Sequence, residues 1–544
     1  MLDHSLRALF PYFNRPDHAS VYLDHAATSQ KPQQVIDAIT RFYTEENANV
    51  HRASHDDGVA VTNKFEQARA ELADFIGANE AKEIIWTRGT TESINLVANG
   101  LAKSNLLKGT KVLVSPLAHH ANLVPWQQLC HALGLSLHVL PIDNKGVLDL
   151  AASLAMFDEE VALLAMDHVS NVLGNIEPVA ELVAKAREVG ALSLIDGAQA
   201  VGHLAVDVQA LGCDFYAFSG HKMFGPTGIG VLWGKAELLE QLPPAQTGGE
   251  MVRTVSYQHS DFQGLPYKFE AGTPNIAGVL GLAEAAAFVR HHRDDIAKQE
   301  QALYDYLLAQ LQPFSDLNFW GELERSTAVL SFSHKHIHSA DLGALLNQQG
   351  IAVRVGHHCA MPLVNSLDEQ GTIRVAIGPY NNHADIDRFI QALTLAISSL
   401  SDHQELPQPV AEPTQTHLPL AEKIKEAKGW DNVYREIMLA GKSVKPDATL
   451  QVDDNQIHGC ESPVWLSVTS AANKVNIGFY SSGKIIRGLL AIMLEPAQGQ
   501  TPEFIQRFDF AAHLAELGLE KQLSQSRNNG LSAVISQLKQ LLKG

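Results

Sequence analysis

The sequence predicts an α/β protein with a large, mostly parallel sheet domain and a smaller α+β lobe, followed by a separate α+β unit. Three observations lead there. From Val21 to about Leu400, short apolar runs alternate with amphipathic stretches of helical period, the pattern of a parallel sheet covered on both faces. Residues that carry chemistry fall just after several of these runs, at the strand edge where open α/β sheets hold their ligands. Between Ser401 and Leu420 the chain turns polar and proline-rich (Pro407, Pro409, Pro413, Pro419), as an extended spacer does, and a compact stretch of about 120 residues follows.

Bulk properties narrow the function. At 544 residues the chain exceeds a single core and suggests about three to five structural units. A content of 45% hydrophobic and 19% charged residues suits a globular protein, and a formal charge of −19 argues against nucleic acid or an anionic membrane as the main partner. Apolar runs such as 276–289 are short and broken by Glu284, so no membrane span is expected. Asp3, His4 and Arg7 stand where a secretory signal needs an apolar core, which points to the cytoplasm. Four cysteines without a CxxC pair make neither a disulfide framework nor a zinc site, and no metal is expected.

Taken in order, residues 1–20 read as a lead-in helix and loop. The large domain, about 21–275, carries strands at 83–87, 111–115, 136–140, 161–166, 191–195, 214–218 and 228–233, with helices at 91–102, 121–134 and 178–190. After Gly272-Thr273-Pro274 a helix near 276–292 opens the small lobe (about 1–20 and 276–400), which has strands near 327–333, 351–354 and 372–377 and a closing helix 384–400. The spacer covers 401–420. The last unit, 421–544, shows a hairpin pair (463–469, 474–480) and a helix from Lys484 to Leu494.

The apolar run Phe215–Phe218 ends in Ser219-Gly220-His221-Lys222, which presents an amine at the carboxyl edge of a strand. A partly desolvated lysine beside other cations loses its proton readily and forms Schiff bases, although a surface-loop lysine fits the local pattern too. Thr87-Arg88-Gly89-Thr90-Thr91 joins a strand to a helix start, where free N–H groups and hydroxyls make either a phosphate cradle or an ordinary N-cap. Asp196, in Asp196-Gly197-Ala198-Gln199, suits a protonated ring nitrogen of the kind that makes pyridoxal phosphate an electron sink, or a turn. His119-His120 follows another strand; an imidazole there could stack on a flat cofactor and shuttle protons, or be a plain loop residue. All four features share one sheet edge. Cys359 lies in a polar loop, Gly356-His357-His358-Cys359-Ala360, where neighbouring histidines or Arg354 favour a thiolate, whereas Cys130 and Cys213 fall within packing patterns. Arg374 sits on a strand facing this region, and a guanidinium fork suits a carboxylate.

With these residues in view, 20–400 resembles a class V aminotransferase-type enzyme, specifically a cysteine desulfurase of the Suf/Csd type. The stretches that carry the resemblance are Tyr22-Leu23-Asp24-His25-Ala26-Ala27, Asn49-Val50-His51-Arg52, Arg88-Gly89-Thr90-Thr91-Glu92, His119-His120-Ala121-Asn122, His168-Val169-Ser170-Asn171-Val172, Asp196-Gly197-Ala198-Gln199, Ser219-Gly220-His221-Lys222 and Arg354–Ala360. The resemblance implies the pyridoxal phosphate-dependent transferase fold type I, with the cofactor bound covalently by Lys222. Thr90, Thr91, Ser219 and His221 would hold its phosphate, with Thr273 reaching in from the second subunit of a homodimer. Asn171, Asp196 and Gln199 would contact the ring and His120 would stack on it. Arg374, Arg354, Asn171, His51 and His55 would bind L-cysteine, and Cys359 would take its sulfur as a persulfide, leaving alanine. Two places depart from the family: Ala118 stands where an acid often precedes the histidines, and Asp56-Asp57-Gly58 replaces the usual turn after His55.

The last unit resembles the SufE/CsdE sulfur acceptors through Gly459-Cys460-Glu461-Ser462, Val464-Trp465, Ile486-Arg487-Gly488-Leu489-Leu490-Ala491 and Ser526-Arg527-Asn528-Asn529-Gly530-Leu531. Cys460 would then accept sulfur from Cys359 and pass it to an iron–sulfur scaffold or a tRNA-modifying enzyme. The alternatives that remain are a selenocysteine lyase or cysteine sulfinate desulfinase, with the last unit serving only for docking.

Overall fold

The computed structural model describes residues 6–16, 20–52, 54–401, 418–427, 430–447, 449–457, 462–471, 474–519 and 525–542, with main chain only at 401, 430–431 and 525–529. By contacts the chain forms two units, 1–333 with 350–391 and 334–349 with 392–544.

The first unit opens with β1 (Val21–Tyr22), and its main sheet is built from β2 (Ile84–Thr87), β3 (Lys111–Val114), β4 (Ser136–Val139), β5 (Val161–Asp167), β6 (Leu192–Asp196), β7 (Phe215–Ser219) and β8 (Gly230–Gly234). Their order is β2-β8-β7-β6-β5-β3-β4. Only β8 runs against the rest, pairing antiparallel with both β7 and β2. β5 and β7 are buried along their whole length, which is why they read as unbroken apolar runs. The observed strands lie within one or two residues of the ranges expected from the sequence. Register then aligns the strand ends: Asp167 stands beside Asp196, and Asp196 beside Ala217, two residues before Ser219.

The helix expected at 276–292 runs from Ile276 to Leu311. The charged triplet Arg293-Asp294-Asp295 reads as its end, but Ile296, Glu300, Leu303, Tyr304, Leu307 and Leu311 carry the buried stripe onward at three- and four-residue spacing. Beyond a small hairpin, β9 (Val252–Val255) with β10 (Ser260–Phe262), a four-stranded sheet follows in the order β11-β12-β15-β14. It comprises β11 (Leu317–Trp320) and β12 (Val329–His334) and, after the short β13 (Ile351–Ala352), β14 (Arg354–Gly356) and β15 (Thr372–Ala376). β13 pairs in parallel with β1, bringing the loop after β1 beside β15 through a bridge between Asp24 and Ala376.

The second unit holds an antiparallel sheet of β16 (Gln456–Ile457), β17 (Val464–Ala471) and β18 (Lys474–Ser481), followed by the expected helix Lys484–Leu494. Gly488 lets that helix press against the helix Trp430–Ser443: a Cβ there would lie 1.9 Å from the carbonyl oxygen of Ile437. Next to it, the buried Arg487 donates to the carbonyls of Gly441 (2.6 Å) and Ser481 (2.8 Å). The Arg-Gly pair of the sequence motif therefore serves helix packing. A helix starts at Pro419, inside the range expected to be spacer, because proline suits the first helical turn; residues 402–417 lie outside the described residues. Among the described residues no helix is long and apolar enough to cross a membrane.

Candidate active site

The carboxyl edge of the main sheet gathers most of the residues that the sequence singles out. Lys222 ends a single 3₁₀ turn that follows β7 directly. Burial drives its amine below the ordinary lysine range; Asp196, Cys359 and Asp167 oppose this, and Arg374 adds to it. Asp196, at the end of β6, is buried and accepts a hydrogen bond from the Ala198 N–H at 2.9 Å. Its neighbour Asp167, outside the sequence motifs, is pushed up to about 7 by burial and by the charge of Asp196. Two buried carboxylates side by side at a strand edge call for a cationic neighbour.

Where β2 meets its helix, Thr90 donates its N–H to the Ser219 hydroxyl at 2.8 Å, and the two hydroxyls lie 2.7 Å apart. Gly89 takes φ +151°, and a Cβ on it would sit 3.1 Å from the Ser219 Oγ. Gly89 has no side chain to cap the helix Thr90–Ala102, and with the Thr90 N–H given to Ser219, the N–H groups of Thr91 and Glu92 stay available. Thr90, Thr91, Ser219 and His221 line one cleft of about 1000 Å³, and Thr273, expected from a partner subunit, lines it within the same chain. His221 is pushed down to about 4 by burial, with Lys222 and Lys31 adding to this. Gln199 donates to the carbonyl of Ala26 at 2.6 Å.

The two histidines after β3 divide differently from the sequence expectation. His120, expected as the stacking ring, is tied to the cysteine loop: its backbone N–H donates to the Cys359 carbonyl at 2.7 Å, and its ring Nε2 accepts from the Met361 N–H at 3.1 Å. His119 is the imidazole close to the lysine, pushed down to about 3 by burial and then by the charge of Lys222. Both sit in one dipeptide, and its sequence gives no sign of which ring turns inward.

Cys359 is exposed, and it and His358 both adopt left-handed backbone, at φ +58° and +50°. The loop is pinned from below. Asn171 donates to the His358 carbonyl at 2.7 Å, and His358 Nε2 pairs with the Thr372 hydroxyl at 2.9 Å. Burial and the two nearby arginines keep His358 neutral, so this histidine does not supply the positive charge expected for the thiol.

Arg354 and Arg374 face each other across β14 and β15. Asp24 joins them. Arg354 binds its carboxylate through Nε (3.1 Å) and a terminal nitrogen (2.8 Å), and Arg374 reaches the same carboxylate at 3.2 Å while donating to the Asn171 carbonyl at 2.6 Å. Burial lowers Arg374 to about 10 against the pull of Asp24, and its Nε is buried without a partner. His51 and His55 stand apart from this cluster. His51 pairs with Glu66 at 2.9 Å and lines a second cleft with Tyr267, while His55 is exposed and caps the helix Asp56–Phe75. Cys460 lies outside the described residues.

Comparison with known proteins identifies the family. The class V aminotransferase family model matches residues 21–389, and the SufE model, an Fe–S metabolism associated domain, matches 419–542. The chain belongs to the class V aminotransferase family. A cysteine desulfurase of Yersinia pestis is 46% identical over 392 residues, covering 71% of this chain and 96% of the relative, and one of Yersinia pseudotuberculosis matches equally. Among solved structures, the cysteine desulfurase CsdA of Escherichia coli superposes with a TM-score of 0.66 at 38% identity over 72% of this chain and 98% of that one. The cysteine desulfurase of Thermococcus onnurineus gives 0.68 at 36%, covering 72% of this chain and 97% of that one. Within its family the chain is a cysteine desulfurase with a C-terminal SufE-type domain, and its main fold is fold type I.

Proposed function

We propose that the chain binds pyridoxal 5'-phosphate at Lys222 and strips sulfur from L-cysteine onto Cys359, from which Cys460 of the fused domain receives it. The observation that carries this reading is the meeting of Lys222 with Asp196, Arg374 and Cys359, all of which act on the charge of its amine. The residues also suit the cofactor. Hydroxyls and free N–H groups line the cleft beside Gly89 and fit a phosphate dianion. The buried acids Asp196 and Asp167 fit a protonated ring nitrogen.

When bound, the cofactor supplies an electron sink conjugated to the substrate's amino group. The chain's own residues do the rest. Arg374 and Arg354, held in one orientation by Asp24, grip the substrate carboxylate. Lys222, its proton loosened by burial, moves the proton at the substrate's Cα. His119, kept neutral, provides the flat neighbour, and His120 holds the cysteine loop. The Cys359 thiolate attacks the substrate sulfur. An S–S bond forms as the Cβ–S bond breaks, the electron pair passes to the carbon side, which takes up protons to leave as alanine, and Cys359 is left as a persulfide. The Cys460 thiolate then attacks the outer sulfur, and Cys359 leaves as a thiolate. The proline-rich stretch expected before Pro419 would keep the acceptor at an effective concentration of about millimolar. We place the enzyme in the cytoplasm as a homodimer that serves an iron–sulfur scaffold or a tRNA-modifying enzyme.

Mass spectrometry of the full chain after brief exposure to L-cysteine tests this. One added sulfur on Cys359 and then on Cys460 is expected, with sulfur held at Cys359 in the Cys460→Ala variant. Sulfur that reaches Cys359 and never Cys460 would reduce the last unit to a docking module.

A further inference from the structure

Three titratable side chains from distant parts of the chain meet in the core of the first unit: His25 from the loop after β1, His203 from the turns after β6, and Glu300 from the middle of the helix Ile276–Leu311. One donor atom from each lies within 4.8 Å of the other two. All three are buried, with exposures of 1%, 9% and 4%. His203 Nδ1 bonds one carboxylate oxygen of Glu300 at 2.8 Å, and His25 Nδ1 is taken by the Tyr380 hydroxyl at 2.8 Å.

These bonds leave two atoms over. Among the described residues, His25 Nε2 and Glu300 Oε1 are buried with no hydrogen-bond partner. A native core satisfies such groups, since an orphaned donor or acceptor keeps its full desolvation penalty, so the cluster lacks a member that can serve both. Two imidazoles and a carboxylate are the donor set of Zn²⁺ sites. A histidine whose second nitrogen is held by another group, as Tyr380 holds that of His25, is the usual arrangement behind a metal ligand.

We propose that His25, His203 and Glu300 form a site for a divalent cation of the zinc type. On binding, bonds form from the metal to one nitrogen of each histidine and to Glu300, and the His203–Glu300 hydrogen bond breaks; each histidine binds as a neutral imidazole with its one proton on the nitrogen away from the metal, any further proton leaves to bulk solvent, and nothing is oxidised or reduced. Water, which ionises easily on zinc, completes the shell, and as hydroxide, its proton released to bulk solvent, it balances the charge of the metal and one carboxylate. The consequence reaches the candidate active site through the chain. His25 adjoins Asp24, which holds both arginines, and Ala26, whose carbonyl holds Gln199. A metal here would fasten that loop to the long helix.

The test uses the full chain with cofactor and with Cys359 and Cys460 replaced by serine, so that thiols do not compete. Elemental analysis after dialysis against Zn²⁺ should find one zinc per chain, and X-ray absorption at the zinc edge should show a nitrogen and oxygen shell with imidazole scattering. His25→Gln and Glu300→Gln should each weaken binding by about 100-fold. A chain that takes up no zinc overturns the proposal and leaves a bridging water as the missing member. So does a shell containing sulfur, or zinc uptake unchanged in a folded His25→Gln chain.

Discussion

Arg354 and Arg374 stand opposite one another on β14 and β15, and a single carboxylate, Asp24, accepts a hydrogen bond from both. The two differ in surroundings: the Arg354 side chain is 46% exposed and that of Arg374 only 2%. Asp24 therefore matters most to Arg374, which cannot turn to water if it is lost.

Replacing Asp24 by alanine should destabilise the first unit by about 2 kcal/mol, the range for a hydrogen bond to a charged group. Asp24→Asn keeps the shape and loses the charge. We expect it to raise KM for cysteine about tenfold, equivalent to 1.4 kcal/mol, with a smaller change in kcat. Steady-state kinetics that show KM unchanged would dissociate the arginine pair from substrate binding.

Cys359→Ala should keep the near-visible absorbance of the bound cofactor and lower alanine formation from cysteine by about 100-fold or more. Lys222→Ala should lose that absorbance at neutral pH even with cofactor supplied. Full alanine formation by the Cys359 variant would mean another group takes the sulfur.

Gly89→Ala places a methyl group 3.1 Å from the Ser219 hydroxyl on a backbone at φ +151°. The expected result is weaker cofactor binding, by about tenfold or more, read from the concentration needed to restore absorbance. An unchanged requirement would place the phosphate elsewhere.

Glu177 gives a pH-dependent test. Burial, with Asp167 adding and Arg325 opposing, pushes its carboxyl up to about 8. The folded chain keeps this proton across a range where the unfolded glutamate, with a pKa of about 4.3, has lost it. The contribution is whole below pH ~4.3 and shrinks as pH rises to about 8, by up to about 1.4 kcal/mol per pH unit. Glu177→Gln should therefore match the parent near pH 4.5 and exceed it in stability at pH 8. Denaturation curves with the same gap at both pH values would contradict the assignment.

Much of this architecture is legible in the amino-acid order, and the limits have physical causes. β5 and β7 announce themselves because strands buried on both faces are apolar throughout. Lys222, Asp196 and Cys359 stand out because each follows a recognisable strand with a polar or glycine-bearing turn. Asp24 does not, since its partners lie 330 and 350 residues away. The roles of His119 and His120 depend on which ring the short turn after β3 sends inward. His55 looks chemical in sequence and serves as a helix cap.

Two adjacent residues with side chains, His358 and Cys359, occupy backbone space that usually suits glycine, at a cost of order 1 to 3 kcal/mol each. His120, Asn171 and Thr372 clamp them there. The proposed nucleophile is thus mounted on a tensioned bracket. Its aim is set once, when the chain folds, and need not be searched for afresh at every turnover.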